Sequence, residues 1–311
     1  MTVSGTYRLS VDFNDIAEEA LDLLQIGQDG ETLSGDSLER SRKTANFMIK
    51  AWQGQGIHLW TMQEGSLFTV KSQAQYDFST ANLANTWYET TISASEAAGQ
   101  TVLSCTDTTN MAATNIIGIV LDSKVAHWTT IVSKTSTTVT VTAALPTAAS
   151  AAAKVRYYAA SSFIPVERIA NNSVRRRDSS TYEIPIAFES RNDYFNFPDK
   201  TSTGSPIQAY FSRQKDPGIM YLWPTPSTAE YVINFTYERP IQIINLGTDT
   251  FDIPDYWMEA FIYNLASRLI PKFGCTQGRA AMIQQMAKDS LDLALCFDTE
   301  HYPIRLVTHR G

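Results

Sequence analysis

Apolar residues recur at helical spacing near the start of the chain. A first set follows Asp15, which has Glu18 three residues later, an arrangement typical of a capping box: Ile16, Leu21, Leu23, Leu24 and Ile26. Gly27 is expected to end this helix. A second helix is predicted from about Asp36, again with an acidic residue three positions later, to Gly54. Its predicted inner face carries Leu38, Arg42, Ala45, Ile49 and Trp52. We therefore predict a helical hairpin over the first 56 residues.

Two further helices are predicted near the other end of the chain. Pro254 suits a first helical turn, and an apolar residue then recurs at every fourth position until Pro271 and Gly274 are expected to break the pattern: Trp257, Phe261, Leu265 and Leu269. A long helix after Thr276 is predicted to carry an apolar stripe: Met282, Met286, Leu293 and Phe297. Ile283, Ala287 and Ala294 lie beside that stripe. The two helical pairs bracket a β-rich middle, which predicts an α+β fold built on a four-helix core.

The segment 88–160 differs from the rest of the chain in composition. Of its 73 residues, 37 are Ala, Ser or Thr, and its eight charged residues cancel to zero. It contains short β-rich runs separated by turn signals, at 101–105, 116–121, 125–132, 138–142 and 155–158. Residues 138–142 alternate Thr and Val, as expected for a strand with one buried face. We interpret 88–160 as a small five-stranded β domain, a barrel or an immunoglobulin-like sandwich, inserted into a core formed by 1–87 and 161–302.

Strands and turns are also predicted outside that segment. Eight prolines divide residues 163–252 into short pieces, and residues 231–237 form the clearest single strand. Residues 303–311 follow the predicted last helix and begin with a helix-breaking proline. They contain two arginines and no acidic residue, and they read as an extended C-terminal arm.

Composition narrows the possible functions. The formal net charge is −7 with 18% charged residues, which disfavours coating of DNA, because that requires Lys and Arg to neutralise phosphates. The cysteines Cys105, Cys275 and Cys296 are too scattered for a disulfide framework or a metal site. The longest aliphatic run, at 116–121, is far too short for a membrane span, and the first ten residues lack the features of a secretory signal. We expect a soluble protein made in a cytoplasm, with no membrane partner.

Catalytic chemistry is hard to find in the sequence. None of the nucleotide-binding or hydrolase motifs is present, and the four histidines lack metal-ligand spacing: His58, His127, His301 and His309. The acidic pairs at 12–15 and 18–19 match a glycan hydrolase or, more simply, residues that cap a helix and complement its dipole. No catalytic, cofactor-binding or metal-binding residue is predicted, and no cofactor is expected.

The most basic local feature is the triplet Arg175, Arg176 and Arg177. Contact with another subunit or a partner protein is the favoured interpretation, with an exposed loop and a DNA contact as alternatives. The aromatic residues at 221–224 are interpreted as the edge of a core strand.

The order of landmarks along the chain resembles that of the P22-like tail accessory factors, which are head-completion or portal-to-tail adaptor proteins of short-tailed bacteriophages. The similar stretches are 20–27, 30–34 and 51–56, then 165–169, 175–177, 185–186, 190–194, 204–206, 222–226 and 237–240, and finally 251–257. The resemblance covers roughly residues 10–80 and 163–300. The segment 88–160 exceeds the minimal adaptor, and the arm is similar only in its position.

This resemblance implies a structural virion protein at the head–tail junction, assembled in the host cytoplasm. Such adaptors form a homo-oligomeric ring, typically of twelve copies, that docks under the portal protein, retains packaged DNA until ejection, and offers a surface to the tail nozzle or to tail fibre or spike proteins. Genomic DNA would pass through the ring without sequence-specific binding. The expected portal-binding residues lie in the arm: Pro303, Ile304, Arg305, Leu306, Val307 and Arg310. The alternative from another class is a tail-associated cell-wall hydrolase that acts during DNA entry.

Overall fold

The chain forms two compact units with a mixed α+β architecture. The computed structural model describes residues 9, 11–26, 33–55, 59–160, 165–170, 173–179, 182–213 and 218–298. One unit comprises Met1–Thr61 together with Pro240–Gly311, and the other comprises Met62–Arg239. The first is helical and the second is built mainly of strands. The α+β class predicted from the sequence is confirmed.

The first helix, α1 (Phe13–Asp22), begins earlier than predicted. Its N-cap is Asp12, whose Oδ1 accepts a hydrogen bond from Asp15 N at 3.0 Å, while Asp15 Oδ2 accepts one from Asp12 N at 3.1 Å. The capping box is therefore made by this pair rather than by Asp15 and Glu18. The helix also ends before the predicted glycine, at a turn in which Gln25 has a φ of 61°.

The other helices of this unit follow the sequence closely, with one exception. They are α2 (Gly35–Gln55), α4 (Met258–Phe273) and α5 (Gln277–Phe297), with short 3₁₀ turns at Leu59–Thr61 and Asp255–Trp257. Of the two residues expected to end α4, Pro271 lies inside the helix. The helix ends at the other, Gly274, whose φ of 77° is readily adopted only by glycine.

A cluster of aromatic rings forms the centre of the helical unit. Trp257 is fully buried, and its ring centroid lies 5.4 Å from that of Trp52 and 5.1 Å from that of Trp60. Phe261 packs edge-on against Trp52 at 5.9 Å. Buried residues from α1, α2, α4 and α5 share this one core. The packing therefore joins helices from both ends of the chain.

The β unit contains eighteen strands among the residues that the structure describes, together with the short helix α3 (Arg191–Phe195). The strands are β1 (Met62–Phe68), β2 (Gln75–Asp77), β3 (Leu83–Ala84), β4 (Tyr88–Thr91), β5 (Val102–Ser104), β6 (Ile116–Val120), β7 (Ala126–Lys134), β8 (Thr138–Val141), β9 (Lys154–Tyr158), β10 (Arg168–Ile169), β11 (Arg175–Ser179), β12 (Tyr182–Pro185), β13 (Ala187–Phe188), β14 (Thr203–Gly204), β15 (Gln208–Ser212), β16 (Ile219–Trp223), β17 (Thr225–Pro226) and β18 (Val232–Glu238).

Strands from both ends of this unit pair with each other. The first sheet has the order β12-β11-β18-β1-β3, with β10 also paired to β18, and a second has the order β13-β15-β16-β2. A parallel pair, β14 and β17, stands apart. Within the first sheet β1 and β18 are antiparallel over seven residue pairs, from Met62 opposite Glu238 to Phe68 opposite Val232. The chain therefore enters and leaves the β unit at adjacent positions.

The segment 88–160 forms a sheet of its own. Its order is β4-β9-β6-β7-β8-β5, one strand more than the sequence predicted, because β4 was missed. The two edge strands meet: Ile92 and Cys105 form an antiparallel bridge, and Thr106 N donates to Thr91 O at 2.9 Å. The six strands thereby close into a small barrel whose interior is filled by apolar side chains.

Packed rings and a buried arginine attach the barrel to the rest of the β unit. The ring of Phe68 on β1 lies 5.1 Å from that of Trp128 and 5.5 Å from that of Tyr158. Arg156 on β9 is 2% exposed; its Nη1 donates to Ala229 O at 2.9 Å and its Nη2 donates to Glu230 O. Segment 88–160 and the flanking β region therefore belong to one compact unit. The prediction that segment 88–160 is an insertion into an adaptor core is not tested by this arrangement and stays a prediction.

The charge on Arg156 is held by several partners at once. Burial lowers the pKa of its guanidinium, while Glu89 acts in the opposite direction, with its Oε2 3.0 Å from Arg156 Nε. A buried charge is tolerated only when it is paired and hydrogen-bonded. Arg156 meets this condition through one carboxylate and two carbonyl oxygens. Its replacement should therefore leave all three of these buried acceptors without a donor.

We expect Trp257→Ala to lower the free energy of unfolding of the helical unit by about 3–5 kcal/mol, because a large buried side chain leaves a cavity. Phe47→Ala is the matched control, since Phe47 is an α2 aromatic that is 74% exposed, and it should cost less than about 1 kcal/mol. Denaturant titration followed by far-ultraviolet circular dichroism measures both values. Equal losses would contradict the assigned core.

We expect Arg156→Met to destabilise the β unit by about 3–5 kcal/mol, because Glu89 and two carbonyl groups lose a buried donor. Arg177→Met should cost about 1 kcal/mol, since Arg177 is more exposed and its Nη2 lies 3.6 Å from Glu89. Hydrogen exchange in β9 and residues 228–232 reports the opening free energy. The anchoring role is wrong if both variants exchange like the unmodified protein.

Candidate interaction surfaces

The arginine triplet lies on β11, between β12 and β18, rather than in an exposed loop. Arg176 is 5% exposed. Its Nε lies 2.5 Å from Asp178 Oδ1, and its Nη1 donates to Pro206 O at 2.7 Å. Its guanidinium also sits 5.3 Å from the centroid of the Tyr231 ring. Arg176 therefore acts inside the β unit, where it links neighbouring segments.

The other two arginines of the triplet are partly exposed. Arg175 has carboxylate oxygens of Glu64 and Glu183 at 3.7 and 3.4 Å from its guanidinium nitrogens. Arg177 stacks over the ring of Trp87, with its Cζ 4.6 Å from the ring centroid. These intramolecular pairs reduce the charge available for phosphate contacts. Contact of the triplet with another subunit stays a prediction, and Arg175 and Arg177 are the members that retain solvent access.

Helix α5 carries an exposed apolar stripe, which we call the α5 stripe. Its members are the four residues that the sequence placed on one apolar stripe: Met282 (51% exposed), Met286 (39%), Leu293 (68%) and Phe297 (71%). The side of α5 that packs into the core is the neighbouring side, with Ile283, Ala287 and Ala294. The sequence predicted both sides without indicating which of them is buried. A row of exposed large apolar side chains along one side of a helix is typical of a protein–protein contact.

Helix α2 carries an exposed aromatic residue on its outer side. Phe47 projects from the outer side of α2, with Lys43 one turn before it and Lys50 one turn after it on the same side. The loop beside α2 is fixed to it, because Asn46 Nδ2 donates to Ile244 O and Ile244 N donates to Asn46 Oδ1, both at 2.9 Å. We call Phe47 and these two lysines the α2 surface.

A group of aromatic rings surrounds the short helix α3 in the β unit. Tyr194 is buried and contacts the rings of Tyr210 and Tyr221 at 5.8 and 5.3 Å. Phe195 is 48% exposed, and Lys200 Nζ lies 5.3 Å from its ring centroid. Residues 221–223, which the sequence analysis interpreted as the edge of a core strand, lie on β16, which pairs with both β15 and β2. Leu222 is buried there. The sequence analysis missed the partly open aromatic surface, because its rings come from three separate segments.

Acidic and nucleophilic side chains do not gather into a catalytic arrangement in the described part of the chain. Asp12 and Asp15 serve as the capping box of α1, which supports the structural interpretation of that acidic pair. Cys105 lies inside the barrel, where burial, together with the charge of Glu96, raises the pKa of its thiol to about 11 and makes it a poor nucleophile. No group of three potential metal ligands occurs within the described ranges.

Other predicted features are tested to different extents. None of the described helices has the length and apolar content that crossing a bilayer requires. The residues expected to bind the portal lie outside the described residues: Pro303, Ile304, Arg305, Leu306, Val307 and Arg310. Their role therefore stays a prediction.

Comparison with known proteins addresses the family directly. Residues 101–305 match the family of the SU10 adaptor protein, and this range includes five of the six barrel strands, the following β region and both C-terminal helices. Comparison with curated proteins gives no match. The match covers more than half of the chain and supports a phage adaptor, although it does not single out the P22-like tail accessory factors. The chain therefore belongs to the SU10 adaptor protein family, and this membership indicates a structural adaptor protein of a bacteriophage.

Proposed function

We propose that this protein is a head-to-tail adaptor that assembles as a ring, of twelve copies, beneath the portal. In that position it helps retain packaged DNA and presents an attachment surface for the tail nozzle or for tail fibre or spike proteins. The observation that carries this proposal is the family match, which extends through the β region and the C-terminal helices to Arg305. A ring around the DNA exit is the arrangement that gives an adaptor a continuous channel.

Charge supports passage of DNA rather than binding of DNA. The formal net charge of −7 repels phosphates, and each copy in a ring adds to that repulsion. Two arginines that could otherwise contact DNA phosphates, Arg156 and Arg176, are buried and bonded within the chain. DNA would therefore move through the ring without sequence-specific contacts.

The proposed contact with the portal is the arm, residues 303–311. Ile304 and Leu306 alternate with Arg305, which is the pattern of an extended segment that adds as a strand or lies in a groove of a partner. Arg305 and Arg310 would meet carboxylates or carbonyl oxygens of the portal. This assignment rests on the sequence and on the implied position of the arm.

The barrel is the proposed attachment surface on the tail side. Much of its exterior consists of threonine side chains, including Thr129, Thr130 and Thr142, and the segment 88–160 has no net charge. Such a surface suits a contact with the nozzle, a fibre or a neighbouring adaptor that does not depend on ionic strength. A cell-wall hydrolase is not proposed, because no described group of residues favours it.

Deletion of residues 303–311 should leave a folded protein that no longer joins purified portal rings. The removed segment lies beyond α5, so the helical and β units are expected to keep their circular dichroism spectra. Cosedimentation with portal rings measures the loss, which we expect to exceed tenfold in affinity. Unchanged joining by the truncated protein would contradict the portal-binding role of the arm.

A charge-reversed variant, Arg305→Glu with Arg310→Glu, separates the contribution of the arginines from that of the apolar residues. It should weaken joining most clearly at low salt, because the screening of exposed charges increases with ionic strength. The matched control is Thr308→Ser, which keeps both arginines and should join portal rings normally. A salt-independent effect would assign the contact to the apolar residues alone.

A further inference from the structure

The chain leaves helix α5 at one end of the α5 stripe. Phe297 is both the last residue of the helix and the last member of the stripe, and Asp298 is the C-cap, with its N donating to Ala294 O at 3.1 Å. The ring of Phe297 lies 4.7 Å from that of Tyr256, which is itself 42% exposed and widens the apolar surface at this end. Any segment that follows Asp298 therefore starts beside the stripe.

The length of the α5 stripe sets what can cover it. From Met282 to Phe297 it extends over about 22 Å along the helix axis. Single exposed apolar residues are ordinary, whereas a row of them on one side of a helix is typical of a surface that another segment covers. The charged residues beside the stripe have both signs, since Lys288 lies next to Asp289 and Asp292. Charge therefore does not select the occupant, and length and apolar pattern decide.

The residues after Asp298 have the length to return along the stripe. Residues 299–311 lie outside the described residues, so their number and sequence carry the argument. Four residues are enough to reverse the direction of a chain, and 299–302 are four. The arm, residues 303–311, then begins beside Phe297, and nine extended residues cover about 26 Å. The arm is therefore long enough to reach Met282.

We propose that the arm packs in extended form along the α5 stripe of its own copy, with Ile304 against Phe297 and Leu306 against Leu293. Alternate side chains of an extended segment share one side and recur about every 6.6 Å. Leu293 lies about 6 Å from Phe297 along the axis of α5. The two spacings therefore match, and the contact buries apolar side chains on both partners.

The short connection favours the arm of the same copy over the arm of a second copy. A flexible connection of a few residues gives a tethered segment an effective concentration in the millimolar range. The arm of another copy reaches a comparable concentration only when the protein itself is about millimolar. The contact is therefore intramolecular in dilute solution.

This proposal rests on the proposed function, which assigns the same arm to the portal, and it adds a step to that function. Ile304 and Leu306 cannot contact α5 and the portal at the same time, so the portal must displace the arm from the stripe. The apparent affinity of a free subunit for the portal is then reduced by the fraction of subunits whose arm is released. The α5 stripe becomes uncovered only in subunits that have joined the portal.

Trypsin cleavage after Arg305 measures how accessible the arm is. Leu293→Asp places a charge in the stripe and should release the arm, which raises the rate of loss of residues 306–311 by about tenfold, because cleavage follows the population of the open form. The matched control is Leu295→Asp, at a position that is 43% exposed and lies roughly on the opposite side of α5. It should be cleaved like the unmodified protein. Intact-mass spectrometry of the full chain follows the reaction, and thermal melts should be the same for all three proteins.

Oxidation of two methionines tests the contact from the side of the arm. Met282 and Met286 belong to the stripe, and a covered thioether reacts more slowly with hydrogen peroxide. Leu306→Asp should accelerate oxidation of both residues as much as deletion of residues 303–311 does. Val307→Asp is the matched control, because the next residue of an extended segment points to the other side, and it should leave the oxidation rates unchanged.

Equal cleavage of the Leu293→Asp and Leu295→Asp proteins would overturn the proposal. Oxidation rates of Met282 and Met286 that do not change when residues 303–311 are removed would also overturn it. Protection that disappears on dilution would show that the arm covers a second copy, and the intramolecular contact would be wrong. None of these assays contains the portal, so their failure leaves the proposed function intact. A protected arm in a protein that does not join portal rings would instead retain this contact and reject the proposed function.

Discussion

The antiparallel pairing of β1 with β18 is the constraint on which the rest of the chain organisation depends. It brings Met62 opposite Glu238, so the segments before and after the β unit begin at neighbouring positions. Helices that are some 200 residues apart in sequence can then share one core around Trp52, Trp60 and Trp257. Because of this single long-range pairing, the helices at the two ends of the chain form one unit and the strands between them form the other. The pairing closes a long loop, and the entropy cost of closing a loop grows only slowly with its length.

Closure into a barrel explains how segment 88–160, which has few charges and many small residues, can fold. Closure through Ile92 and Cys105 leaves no open edge strand, and the interior is filled mainly by apolar side chains. Its attachment relies on rings around Phe68 and on Arg156, whose guanidinium is satisfied by Glu89 and two carbonyl oxygens. Since residues 101–305 match the adaptor family, most of the barrel lies within the matched range and is compatible with the adaptor role.

The sequence predicts elements well where the local pattern and the burial agree. Helix α4 shows this agreement, since Trp257 and the three apolar residues that follow at every fourth position are fully buried. The start of α1 was missed because Asp12, Asp15 and Glu18 offer two overlapping capping boxes, and only contacts decide between them. For α5 the periodicity revealed two neighbouring apolar sides without showing which of them is covered, and the structure buries Ile283, Ala287 and Ala294. The sequence also could not show that Arg176 and Arg156 bond within the chain, because some of their carbonyl partners lie up to 74 residues away in sequence.

The most direct test of the adaptor account is electron microscopy of the purified protein mixed with purified portal rings. The account predicts a second ring stacked on one face of the portal, with one adaptor copy for each portal subunit and an open channel along the axis. It also predicts that the unmodified portal ring alone lacks this density. Portal rings that remain bare at saturating concentrations of folded adaptor would contradict the central claim.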